Sequence, residues 1–189
     1  MALKISPGSA GRGEGCVLAL LPEEPAGKIS TRNAGAVSFG ATLSWYPGDG
    51  VPAGPILGNP VPGARFYSLL QTDDASATRR VSCEIRALHA EGLARALDAA
   101  LRSVTTHATL TEATLETRIV RIANPTAAYA AFVEELARQL WGANLPVSFG
   151  TSWTPVPGAE VSVGIRGLEE AFETFLSEHS AWQAHPRSR

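Results

Sequence analysis

Hydrophobic and polar residues alternate along three stretches of the chain. In residues 36–45 (AVSFGATLSW) every second side chain is apolar, and residues 79–88 show the same pattern. Residues 114–122 also alternate, but the pattern slips at Ile119 and Val120, where a β-bulge is expected. A period of two is typical of strands with one buried face. The pattern therefore predicts an antiparallel sheet that includes these stretches.

A spacing of three and four residues between apolar positions predicts amphipathic helices. They are expected at about residues 90–104, 124–142 and 168–182. Asn124 is a suitable N-cap for the second helix, and Pro125 suits its first position. Strands and helices together predict an α+β fold, with an antiparallel sheet and about three amphipathic helices packed on one face.

Two short motifs occur twice and in the same order. VSFG stands at residues 37–40 and 147–150, and VSCEIRAL (81–88) resembles VSVGIRGL (161–168). The second motif of each copy precedes a predicted helix, and such a ββα unit is too small to bury its own apolar faces. We therefore expect an internal pseudo-duplication whose equivalent strands share one sheet, with convergence on common strand residues as the alternative. The two copies span about residues 36–104 and 146–182.

The second copy is expected to form a hairpin. Residues 147–153 and 160–167 both have strand character, and only the segment TPVPGA separates them. Gly40 and Gly150 lie inside the repeated strands, where glycine marks either a contact surface or a bend.

Length and composition suit one domain. The chain has 189 residues, of which 44% are hydrophobic, enough for a packed core. The domain is expected at residues 16–182, after a flexible Gly- and Ser-rich segment (1–15) and before a polar tail (183–189). Residues 46–64 are rich in Pro and Gly. A loop of that length in a compact domain is expected to carry function.

The cysteines and the charge bear on the compartment. Cys16 and Cys83 lie in apolar surroundings and outside any CxxC pair, so we expect buried, reduced thiols. The N-terminus lacks the apolar core of a signal peptide, and no stretch is apolar enough to span a bilayer. A net charge of -2 gives no broad footprint for nucleic acid or an anionic membrane. A cytoplasmic protein is therefore expected.

Residues with catalytic chemistry form no familiar set. His107-Ala108-Thr109 resembles one half of the paired HxT signature of 2H phosphoesterases, in which two such motifs face each other, but the second copy is missing. The sequence has no nucleophile elbow, Walker A loop, HExxH or EF-hand motif. We therefore assign no catalytic residue, metal or cofactor, and a protein without enzymatic activity is favoured.

Aromatic residues and arginines at equivalent strand positions are the candidates for partner binding. Trp45 and Trp153 both precede Pro- and Gly-rich loops, and aromatic residues at an exposed edge often anchor interfaces. Closure of the core ends is the alternative for both tryptophans. Arg86 and Arg166 could pair with acidic groups of a partner or of the protein itself. The candidate partner-binding residues are Trp45, Tyr46, Asp49, Arg86, Trp153 and Arg166.

These features favour a non-catalytic bacterial interaction protein that binds a protein partner through residues 46–64 and the aromatic strand ends. An immunity protein that neutralises a cognate toxin fits the small size and mild acidity, and a phage-derived structural or assembly protein shares these features. The other class is an enzyme or small-molecule-binding protein with a pocket between the pseudo-repeats. Formation of a homodimer is left open.

Overall fold

The chain forms two compact units in the computed structural model. The central unit comprises Gly35–Asn124, and the terminal unit comprises the segments before and after it. Both combine strands with helices, which confirms the α+β class. None of the helices within the described ranges is long and apolar enough to cross a membrane. The structure describes residues 2–5, 16–25, 27–48, 50–128, 130–156, 159–178 and 182–184.

The described elements are numbered along the chain. The strands are β1 (Ala2–Ile5), β2 (Cys16–Pro25), β3 (Lys28–Asn33), β4 (Gly35–Ser44), β5 (Ala64–Asp73), β6 (Thr78–Ala87), β7 (Thr114–Ala123), β8 (Thr126–Ala127), β9 (Ser148–Ser152), β10 (Val161–Arg166) and β11 (Trp182–Ala184). The helices are α1 (Ala90–Leu110), α2 (Ala130–Gly142) and α3 (Glu169–Glu178).

Seven strands form the sheet of the terminal unit, within the part of the chain that the structure describes. Their order is β11-β1-β2-β10-β3-β8, and β9 also pairs with β3. The pairs β2–β10 and β3–β9 are parallel, and the others are antiparallel. Helix α2 contacts β3, and α3 contacts β10. The buried core consists of Leu20, Ile29, Val133, Leu136, Leu140, Leu145, Val161, Val163 and Ile165.

The central unit is a four-stranded antiparallel sheet in the order β5-β6-β4-β7. Helix α1 packs on one face, where Phe39, Leu43 and Ile85 are fully buried. This strand order, with a helix between β6 and β7, is that of a split β-α-β fold. Residues 45–63, here called the crossover segment, stand where such folds have their first helix.

The described residues of the crossover segment pack on the core despite its Pro and Gly content. Ile56 is buried in the same apolar cluster as the sheet and α1. Arg79 Nη1 donates hydrogen bonds to the carbonyl oxygens of Pro52 (2.8 Å) and Gly54 (3.2 Å). Ser103 Oγ on α1 donates to the Ile56 carbonyl at 2.9 Å. These side chains therefore donate hydrogen bonds to backbone carbonyl groups that, in a helix, would accept from backbone N–H groups.

The predicted shared sheet and the predicted hairpin are wrong. The first VSFG motif lies in β4 of the central unit, whereas most of the second lies in β9 of the terminal unit. Strands β9 and β10 both pair with β3 and not with each other. Both find their backbone partners in β3, a strand far away in the sequence. The packing of three helices on one face is not confirmed either, because α1 belongs to a different unit from α2 and α3.

The predicted bulge is present in β7. Ser38 pairs with Arg121 and Phe39 with Ile119, so Val120 has no partner on β4. At the chain ends, residues 2–5 of the segment expected to be flexible form β1, and β11 lies at the start of the expected polar tail. The boundaries of the single domain stay a prediction.

Glycine has different consequences at two strand positions. A Cβ atom on Gly164 in β10 would lie 2.9 Å from carbonyl atoms of Glu24 and closer still to the Pro25 carbonyl oxygen. The parallel β2–β10 pair shifts register there, so the backbones approach too closely for a side chain. A Cβ atom on Gly40 in β4 would have only ordinary contacts, at 3.8 Å or more.

We therefore expect Gly164→Ala to lower the free energy of unfolding by about 1–3 kcal/mol or more, because the added methyl group overpacks against backbone. Gly40→Ala is the matched control, and it should not destabilise the protein. Urea denaturation followed by circular dichroism measures both effects. Equal stabilities of the two variants would contradict the close approach of β2 and β10.

Candidate functional site

The face of the central sheet opposite α1, here called the open face, carries the candidate site. Directly paired residues on neighbouring antiparallel strands project from the same face, so the strand register places side chains in rows. Across β5, β6, β4 and β7, one row is Tyr67, Glu84, Ser38 and Arg121, and the next is Leu69, Ser82, Gly40 and Arg118.

A trough with a volume of about 870 Å³ lies on the open face. Ser38 and Gly40 on β4 and Ser82 on β6 form its floor. These residues belong to the two inner strands and have small side chains, whereas the two edge strands carry longer ones. The trough therefore forms because small side chains on the inner strands lie between longer side chains on the edge strands.

The two walls of the trough differ in chemistry. Strand β5 contributes Tyr67 and Leu69, and Leu69 is 60% exposed. Strand β7 contributes Arg118 and Val120. The side chain of Arg118 lies across the floor, because a Cβ atom on Gly40 would be 3.8 Å from both its Cγ and its Nε. One wall is therefore mainly apolar, and the other is cationic.

Arg86 contacts two residues that line the trough, Glu84 and Tyr67. Its Nε donates to Glu84 Oε1 at 2.6 Å, and its guanidinium carbon lies 4.7 Å from the centroid of the Tyr67 ring. The ion pair and the cation–π contact hold Tyr67 against the sheet. Arg86 thus pairs with an acidic residue of the protein itself.

Positive charge predominates on the open face. The strand register assigns five arginines and three acidic residues to it, a net charge of +2, whereas the whole chain carries -2. A small anion is therefore favoured over a cation in the trough. The charged residues are Arg65, Arg80, Arg86, Arg118, Arg121, Asp73, Glu84 and Glu116.

The candidate residues that follow β4 do not form a single exposed patch. Trp45 is only 8% exposed, and its Nε1 donates to the Thr111 carbonyl oxygen at 2.9 Å, so it closes one end of the core. Tyr46 is 81% exposed. Asp49 lies outside the described residues.

The remaining candidates lie in the terminal unit. Trp153 is half-buried, and Arg166 is exposed and donates to the carbonyl oxygen of Glu23. The pairing of Arg86 and Arg166 as equivalent residues of one sheet fails, because β6 and β10 belong to different sheets. Binding of a partner by any of the six residues stays a prediction.

Arg79, which was not among the sequence-based candidates, lies beneath the crossover segment and near His107. Arg79 is 8% exposed, and His107 is half-buried near the end of α1. Within the described residues, Arg79 Nε and His107 Nε2 have no hydrogen-bond partner. Burial, and then the positive charge of Arg79, lower the pKa of His107. His107-Ala108-Thr109 therefore lies in helix α1 against the core. The sequence holds no second such motif for it to face, as the paired HxT signature would require.

Cys83 and possible metal-binding clusters are the other reactive groups to consider. Cys83 is a free thiol in the core of the central unit, and burial raises its pKa to about 11. A thiol is a poor nucleophile at neutral pH under these conditions. Among the residues that the structure describes, no group of three or more His, Cys, Asp or Glu could hold a metal ion.

The trough residues were mostly absent from the sequence-based candidates. Gly40 was considered, but Arg118, Leu69 and Ser82 were not. The alternation in residues 36–45 and 79–88 does place Gly40 and Ser82 on the polar face of their strands. Only the strand order reveals that these two small residues are neighbours between longer side chains.

No protein-family model and no curated protein matches this chain. Solved structures do resemble it. Aminopeptidase PepT from Bacillus cereus ATCC 10987 is 14% identical with a TM-score of 0.58, covering 84% of this chain and 54% of its own. The aminobenzoyl-glutamate utilization protein from Klebsiella pneumoniae is 16% identical with a TM-score of 0.58, covering 87% and 52%. A hydantoinase/carbamoylase family amidase from Burkholderia multivorans is 13% identical with a TM-score of 0.53, covering 72% and 42%.

The likeness shows a shared fold. The chain spans about half the length of these solved structures. Two of these structures are named as enzymes, an aminopeptidase and an amidase, and this overturns the expectation of a non-catalytic interaction protein, including an immunity protein. The phage assembly alternative gains no support from them. They favour the other alternative, an enzyme or a small-molecule-binding protein.

The lowered pKa of His107 predicts an acid-sensitive core. The unfolded chain, in which imidazole titrates near pH 6.5, binds the proton more tightly than the folded chain. The stabilising contribution is therefore complete above pH 6.5 and is lost as the pH falls through the lowered pKa. We expect the free energy of unfolding to fall between pH 7 and pH 5 more steeply in the wild type than in His107→Gln. Urea titrations at both pH values measure this difference, and parallel losses would contradict it.

Proposed function

We propose that this chain is the substrate-binding part of an enzyme that hydrolyses amide bonds, and that its trough binds a small amide carrying a carboxylate. The arginine-walled trough carries the proposal, because it offers a cation and open volume on one sheet face. The fold shared with an aminopeptidase and an amidase supports the choice of amides.

The residues of the trough suit such a ligand. The planar guanidinium of Arg118 can donate two parallel hydrogen bonds to a carboxylate. The hydroxyl groups of Ser38 and Ser82 can donate to an amide carbonyl or accept from an amide N–H. A volume of about 870 Å³ lies within the usual range for small-molecule sites. The trough is thus large enough for a dipeptide or an acylated amino acid.

Bond cleavage is assigned to no residue of this chain. The described residues include no cluster that could hold a metal ion, and Cys83 is buried and protonated. The proposal is therefore limited to binding and orientation of the substrate. We also propose a cytoplasmic location, because a buried free thiol is usual in proteins of reducing compartments.

N-acetylphenylalanine is a suitable probe for the proposed function. At roughly 0.3 kcal/mol for each non-hydrogen atom, we expect a Kd on the order of 1 mM. Amide chemical-shift changes in a two-dimensional NMR titration should centre on Ser38, Gly40 and Ser82. Arg118→Gln should weaken binding about tenfold, since it removes a charge-assisted hydrogen bond.

Arg102→Gln is the matched control for this experiment. Arg102 is an exposed residue of α1, paired with Asp98 at 2.6 Å, and α1 lies on the other face of the sheet. Its replacement removes the same charge from the central unit without changing the trough. Binding that is weakened equally by both substitutions, or shifts confined to other parts of the chain, would refute the proposed site.

A further inference from the structure

One row of residues across the trough is apolar at one end and cationic at the other. Leu69 and Arg118 are the ends of the row whose middle positions are Ser82 and Gly40. Three strand spacings of about 4.8 Å separate the backbones of β5 and β7, or roughly 14 Å in all. Arg118 leans inward over Gly40, so the gap between the two side-chain ends is shorter. The length of the gap suits a single acylated amino acid or a dipeptide.

Gly40 has no evident structural reason to be glycine. An added Cβ atom would make ordinary contacts only, and the backbone of Gly40 is not in the left-handed region. Glycine inside a strand costs about 0.5–1 kcal/mol relative to alanine, through its entropy in the unfolded chain. A glycine with no packing role in a strand often marks a place where a ligand approaches closely. Here it leaves the floor low beside Arg118.

Arg118 is better placed than Arg86 to receive a carboxylate. Arg86 is already paired with Glu84 and stacked on Tyr67. Arg118 makes no salt bridge within the described part of the chain, and its cross-strand neighbour Gly40 has no side chain to neutralise it. The anionic group of a ligand therefore has one favoured position in the trough.

We infer that the trough binds its ligand in one orientation, with the carboxylate on Arg118 and a large apolar group on Leu69 and Tyr67. This inference rests on the proposed function and narrows the substrate class to amides of amino acids that carry an apolar or aromatic side chain or acyl group. The apolar wall buries that group, and the serine hydroxyls of the floor face the amide between the two ends.

Isothermal titration calorimetry with three probes tests the orientation, because two of the probes each lack one of the two groups of the first. N-acetylphenylalanine has both groups, its C-terminal amide lacks the carboxylate, and N-acetylglycine lacks the apolar side chain. We expect the wild type to bind N-acetylphenylalanine about tenfold more tightly than the amide, and Arg118→Gln to bind both equally weakly. Leu69→Ser should weaken binding of N-acetylphenylalanine several-fold and leave that of N-acetylglycine unchanged.

The Gly40→Val variant tests whether a ligand occupies the trough, because the substitution should block the trough without lowering the stability of the fold. Valine is favoured in strands, so the urea midpoint should stay the same or rise, whereas binding of N-acetylphenylalanine should fall at least tenfold because the side chain fills the floor. Unchanged affinity in a folded Gly40→Val variant would overturn the assignment to the trough. Arg102→Gln again serves as the charge control.

Failure of the orientation is distinguishable from failure of the proposed function. One outcome is that N-acetylphenylalanine and its C-terminal amide bind the wild type with equal affinity, and that Gly40→Val weakens the binding of both. In that case the trough binds amides, but the proposed orientation is wrong. If none of the three probes binds the folded wild type, the proposed function and the orientation are both overturned.

Discussion

The register of β4 between β6 and β7 is the constraint on which the central unit depends. Its side chains alternate strictly, so a slip of one residue would move Phe39 and Leu43 from the core to solvent and Gly40 into the core. Burial of the apolar face against α1 excludes such a slip. The same packing that stabilises the fold therefore determines which residues form the floor of the trough. Alternate residues of β4 face the core and the trough.

Alternation and helical spacing predicted β4, β6, β7 with its bulge, and a helix after β6, because these signals are local. Pairing partners over long sequence distances are not local, and there the prediction failed. Residues 147–153 have good strand character, yet β9 pairs with β3, more than one hundred residues earlier. The trough was missed for the same reason. Arg118 is one of several exposed arginines in the sequence, and only the pairing of β7 with β4 places it over Gly40.

The crossover segment shows how a buried cation can replace regular secondary structure. Arg79 gives two hydrogen bonds to backbone carbonyls that a helix would have satisfied internally, and Ile56 fills the adjoining core. A buried guanidinium costs less free energy when carbonyl oxygens surround it. Composition alone indicated a long functional loop, since Pro and Gly exclude a helix but do not reveal that one side chain from β6 can hold the segment in place.

The structure distinguishes the two interpretations of where the Trp45 ring lies. Trp45 was expected either at an exposed binding edge or at the end of the core, and its indole N–H is satisfied by Thr111 inside the central unit. An aromatic residue whose polar atom is already bonded and whose ring is buried offers little to a partner. Exposed side chains on the open face, in contrast, combine an apolar wall with a guanidinium that has no salt bridge among the described residues. Such a concave and chemically asymmetric surface suits a small ligand with two different ends better than it suits a flat protein surface.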